Sequence, residues 1–163
     1  MSLKRYIKDP DMVSLIQRRQ RSSPVDLAGI AEDLGVNLWE ENLAADIWGK
    51  IFRDQENGGR SGFSIVVAKS DPFVRKRFTA AHEIAHFLLH RNQIGNGVVD
   101  KVLYRSNLSD TTERDANQLA AEILMPVSLL QEMLGEGISK SAEIARALQV
   151  SEAALKIRMG SPT

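Results

Sequence analysis

His82 and His86 stand four residues apart in the run His82-Glu83-Ile84-Ala85-His86. On a helix this spacing places both imidazoles on one face, with Cβ atoms ~5–6 Å apart. Two ring nitrogens can meet at a single zinc ion across that gap, each at roughly 2.1 Å. Glu83 follows His82 directly and points in a neighbouring direction. From there it can take the proton of a water attacking a carbonyl and hand it to the departing nitrogen. The residue types and their spacing therefore predict metal-assisted hydrolysis of a peptide bond.

A zinc ion used for hydrolysis needs three protein ligands and one open position. The chain has no cysteine and three histidines, so no thiolate is available. His90 is eight residues beyond His82, or ~12 Å along a helix rising ~1.5 Å per residue, and one ion cannot span that. It reads instead as a helix-end residue favourable to the dipole, or as a group that positions substrate. The third ligand is then a carboxylate. Glu113, in Thr112-Glu113-Arg114-Asp115-Ala116-Asn117, is the expected one, with the shorter Asp115 as its rival. The plain alternative makes Glu113 a first-turn residue of a helix capped by Asp110 or Thr111. Asn117 lies four residues on, on the same face as Glu113, and can hydrogen-bond a ligand histidine from behind. Glu122 reads as solvated. Tyr104 and His90 are candidates for stabilising a developing oxyanion.

These groups need elements to hold them. Val74, Phe78, Ala81, Ala85 and Leu88 recur at steps of four and three. They predict an amphipathic helix that Asp71-Pro72 opens and that runs to about His90. Both ligand histidines fall beside its apolar stripe and so face into the fold. Three strands are expected before it, over Val36 to Glu40, Asp46 to Arg53 and Gly62 to Ala68. The polar, glycine-bearing segment between the last two suits a hairpin loop. Together they predict a small antiparallel sheet.

Earlier, residues 10–21 and a segment opened by Pro24-Val25-Asp26 and stopped by Gly35 read as helices. Residues 91–108 read as loop with an extended piece around Val102 to Tyr104. A second long helix starts near Asp110 and is interrupted by Pro126. The tail reads as short helices whose last pair resembles a helix-turn-helix, or simply a hairpin packed on the core. The expected fold is α+β: a zincin-like core over 1–126 and a helical extension over 127–163 packed on it.

The 163 residues suit one domain with such an appendage, and 43% hydrophobic with 26% charged residues is ordinary for a globular protein. Lys+Arg and Asp+Glu both total 21. A zero net charge argues against a general nucleic-acid binder. The polar start and the lack of any run near ~18 apolar residues predict a soluble, cytoplasmic chain without a membrane span.

Arg75-Lys76-Arg77-Phe78-Thr79-Ala80-Ala81-His82-Glu83-Ile84-Ala85-His86-Phe87-Leu88-Leu89-His90 resembles the signature helix of the ImmA/IrrE metallopeptidases. The run from Glu113 to Pro126 resembles that family's second motif. The resemblance covers roughly residues 25–160. It implies zinc held by His82, His86 and Glu113, with Glu83 as base, in a gluzincin-like arrangement. Members are bacterial or phage proteins that typically sit beside a helix-turn-helix repressor, and some cleave it. This chain departs from the family at Ala85, often Gly, at Asp115, usually Glu, and at Leu119, usually Phe. None of the three is a proposed ligand, and they bear on subfamily and substrate.

The protein substrate implied is a repressor, entering as an extended strand added to a sheet edge near Gly62–Ala68. Two rivals have different consequences. One is a regulatory protein that binds such a partner through the same fold without cutting it. The other is a DNA-binding regulator acting through residues 139–160.

Overall fold

The computed structural model describes residues 2–94, the backbone of 98–101, and residues 110–160. A 3-10 turn at Leu3–Arg5 leads into α1 (Pro10–Arg19). Asp9 caps α1 by accepting from the Asp11 N–H, and Pro10 takes the first helical position, where its missing N–H costs nothing. In α2 (Leu27–Leu34), Asp26 accepts from the Gly29 N–H. Gly35 ends α2 at φ 75°, a left-handed conformation that a Cβ would strain. The Arg19 guanidinium ties the two helices together, donating to both carboxylate oxygens of Asp33 at 2.8 and 2.9 Å and to Asp26 at 3.2 Å.

The strands are β1 (Asn37–Glu41), β2 (Ile47–Arg53), β3 (Phe63–Ala68) and β4 (Val98–Lys101), ordered β1-β3-β2-β4. The antiparallel sheet expected from sequence is a mixed one. β3 pairs antiparallel with β2 but parallel with β1, matching Leu38 to Ile65 and Trp39 to Val66. β1 and β2 run in opposite directions like hairpin arms, and β3 has entered between them. All six residues of β3 are buried, as in a strand covered on both faces. β3 is thus interior and cannot be the edge anticipated near Gly62–Ala68. Among the described residues the edges are β1 and β4. β4 falls inside the segment read as loop, and the extended piece expected at Val102 to Tyr104 lies outside the described residues.

α3 (Phe73–His90) packs on β2 and β3 on one side and against α4 (Asp110–Leu124) on the other. From Thr79 to Phe87 every residue is buried. Over that stretch the one-sided apolar stripe predicted for this helix is replaced by burial all round, while its first turns stay partly exposed. Val74, Phe78 and Leu88 are only partly covered, while His82, Glu83 and His86 lie deep. Pro72 is the N-cap, and Asp71 makes no capping bond; its carboxylate lies 3.7 Å from Arg75 instead. The helix comes close to the sheet at Gly49. A Cβ there would stand 2.5 Å from Thr79 Cγ2 and 3.0 Å from the Val66 carbonyl oxygen. Buried alanines on both long helices, Ala81 and Ala85, Ala116 and Ala120, let α3 and α4 approach closely.

After Pro126 come α5 (Val127–Gly135), α6 (Ser141–Leu148) and α7 (Glu152–Arg158). Their buried residues, including Leu130, Met133, Ile144, Leu148 and Leu155, belong to the same apolar cluster as the core of α3 and α4. Glu122 is not solvated, as read from sequence, but buried, with Oε2 3.1 Å from Arg158 Nη2. Among the described residues, no helix is long and apolar enough to cross a membrane.

Candidate metal centre

α3 turns His82 and His86 toward α4, whose first turn brings Glu113 opposite them. Glu113 is 1% exposed and His86 0%. The Glu113 carboxylate faces both rings, with Oε2 3.2 Å from His82 Nε2 and Oε1 2.9 Å from His86 Nε2. The two rings stand edge to face, centroids 4.5 Å apart. One ligand atom from each of the three residues lies within 4.8 Å of the others. Asp115, the rival carboxylate, is half-buried and outside this cluster.

The Nδ1 atoms point away from the cluster and have partners of their own. Asn117 Oδ1 is 2.8 Å from His82 Nδ1, so the residue one turn beyond Glu113 reaches the back of the first histidine. His90 Nδ1 is 3.0 Å from His86 Nδ1. His90 is itself buried. Its spacing of four from His86 is the same i, i+4 relation that joins His82 to His86, a signal present in sequence that exclusion from the ligand set overshadowed. Tyr104 lies outside the described residues.

Burial is the main influence on the protonation of His86 and His90. It holds His86 below its ordinary value against the opposing pull of the Glu113 carboxylate, and His82 nearby pushes the same way as burial. Burial again, followed by the neighbouring His86, pushes His90 down to about 4. Near neutral pH His86 and His90 are therefore neutral imidazoles, and a neutral ring is what a metal ion requires.

Glu83 is fully buried, and among the described residues neither of its carboxylate oxygens has a hydrogen-bond partner. Such a group is costly unless an ion or water satisfies it. Two imidazoles and one carboxylate are the donor set of a hydrolytic zinc site, which keeps a further position open. The donor set and the orphaned Glu83 oxygens both fit such an ion. Gly49 belongs to the same region: the point where its Cβ would stand is 3.8 Å from Glu83 Cγ. The signal in the sequence is a glycine inside a strand, which commonly marks close approach.

The family model described as Peptidase_M78, IrrE N-terminal-like domain, matches residues 31–159, more than half of the 163. The matched span takes in the sheet, both helices of the cluster and the helical tail. Among curated proteins none matches the chain.

Proposed function

The chain belongs to the IrrE N-terminal-like family of metallopeptidases, and on that premise we propose that it is a zinc-dependent endopeptidase whose ion is held by His82, His86 and Glu113. The observation that carries the reading is the buried His-His-Glu cluster beside the buried Glu83 carboxylate, which has no hydrogen-bond partner among the described residues. Zinc is favoured because the donors are two imidazoles and a carboxylate, without thiolate.

When bound, the ion supplies Lewis-acid polarisation of the scissile carbonyl and acidifies water. Glu83 moves the proton. Its carboxylate accepts one from the attacking water as the new C–O bond forms, then delivers it to the amide nitrogen as the C–N bond breaks. Burial keeps both oxygens away from bulk solvent, and packing at Gly49 and Thr79 fixes the helix that carries them. Asn117 holds the His82 ring in orientation.

An extended substrate is proposed to add to β4, the edge strand beside β2. β4 places Asp100 opposite Gly49, and Gly49 packs over Glu83. Backbone pairing there would align a scissile bond without demanding much of its side chains. The substrate proposed is a helix-turn-helix repressor in a bacterial or mobile-element regulatory system. What supports it is the likeness of the two motif helices to ImmA/IrrE proteins.

The test is Glu83→Gln, assayed with zinc content measured in parallel. Cleavage of a repressor encoded beside this chain should fall about 10²- to 10⁴-fold while zinc stays bound. Control of that repressor undiminished in the zinc-loaded variant would instead mean binding without cutting.

A further inference from the structure

His86 and His90 confront one another through the same kind of atom, Nδ1 against Nδ1, at 3.0 Å. A hydrogen bond needs one donor and one acceptor, and a neutral imidazole carries its single proton on either nitrogen. The contact therefore couples the two tautomers. If His86 holds its proton on Nδ1, His90 must leave its own Nδ1 bare and carry the proton on Nε2.

We infer that His90 is the positioning residue for His86, set as the acceptor at Nδ1 when the ion is bound. The inference rests on the proposed metal site. His86 turns Nε2 toward Glu113, 2.9 Å away, and toward the cluster. Nε2 is thus the atom that would offer its lone pair to the ion, and the ring proton must then sit on Nδ1. That proton points at His90. A ligand histidine that donates its second nitrogen to an acceptor is held in tautomer and orientation and becomes a better ligand.

The two ligand histidines are served differently. His82 faces an amide, and Asn117 can present oxygen or nitrogen by turning about its own bond. His90 has no such freedom. Its ring is buried on the last turn of α3, with its centroid 5.2 Å from that of His86. It can meet the Nδ1–H of His86 only by choosing its tautomer. The role assigned here is behind the ligand, away from any attacked carbonyl.

Two measurements test this on the full chain. In zinc-loaded protein labelled with ¹⁵N, long-range histidine correlations should show His90 protonated at Nε2 and bare at Nδ1. A proton found on His90 Nδ1 overturns the assignment. Separately, zinc affinity is measured by competition with a chromophoric chelator. His90→Leu removes the acceptor and should weaken zinc about 10- to 100-fold. His90→Gln, whose Oε1 can accept, should restore most of that loss. Zinc binding unchanged in His90→Leu overturns the inference alone. Failure of the unaltered chain to bind zinc overturns the metal reading and this inference with it. If His90→Leu does not fold, the tautomer measurement and the Gln variant still decide.

Discussion

Arg158 of the last helix sits against Glu122 of the helix that carries Glu113, Nη2 to Oε2 at 3.1 Å, with Glu122 buried and Arg158 partly so. Arg158 Nε also donates to the Met125 carbonyl at 3.1 Å. From the other side Gln20, the C-cap of α1, donates to the carbonyls of Glu122 and Ile123 at 3.0 and 2.9 Å. The two ends of the chain thus grip the C-terminal half of α4, whose N-terminal turn presents the carboxylate ligand. A buried ion pair is hard to break from one side only, because the remaining charge is left without compensation. Arg158→Ala should destabilise the chain by roughly 3–5 kcal/mol. Replacing both partners, as Arg158→Met with Glu122→Leu, should recover most of that. Urea midpoints of the three variants check it, and a single variant as stable as the parent would show the pair to be inert.

Gly49 makes a second prediction. A methyl group at this position would meet Thr79 Cγ2 at 2.5 Å and the Val66 carbonyl oxygen at 3.0 Å. Overpacking of this kind costs about 1–3 kcal/mol. Gly49→Ala should lower the midpoint of unfolding accordingly, and Thr79→Ser in the same chain should return part of the loss by deleting the crowded methyl. If the double variant is no more stable than Gly49→Ala, the Val66 carbonyl rather than Thr79 sets the cost.

Much of the fold and of the candidate site was legible because it rests on local spacing. Asp26 and Gly35 mark the ends of α2, and the step of four between His82 and His86 puts them on one face. What escaped was set by tertiary pairing. The apolar residues of β1 and β3 say how far each strand is covered but nothing about direction, so their parallel pairing was not visible. The continuous burial of α3 likewise depends on α4 arriving from far along the chain. Glu122 looked solvated because its partner Arg158 is 36 residues away. Its burial could not be read from charge pattern alone.

The contact between Asn117 Oδ1 and His82 Nδ1, at 2.8 Å, should govern metal affinity rather than folding. Asn117 is half-buried at the side of α4, and removing its amide leaves little empty volume. Asn117→Ala should weaken zinc about 10- to 100-fold. Asn117→Asp keeps an acceptor at the same reach and should bind at least as well as the Ala variant. Chelator competition on the three proteins, with thermal unfolding as control, separates the two effects. Equal affinity in the Ala variant would mean that the orientation of His82 is fixed by packing alone.

Acid should weaken the junction between α1 and α2. Asp33 accepts two hydrogen bonds from Arg19, which hold its carboxyl below the ordinary value of 3.8. Asp54 is lowered too, first by the Asn57 N–H and then by the Ser64 hydroxyl. The sign follows from proton uptake. Below about pH 3.8 the unfolded carboxyls bind protons while the folded ones still resist, so unfolding takes up protons and stability falls with pH. The contribution is intact above that range and is lost as pH drops through the lowered values. Both carboxylates are near solvent, so salt should weaken the effect. The urea midpoint should therefore drop between pH 7 and pH 3, and the drop should be smaller in Asp33→Asn, which has no carboxyl to protonate. An equal drop in parent and variant would remove the Arg19 pair from the acid response.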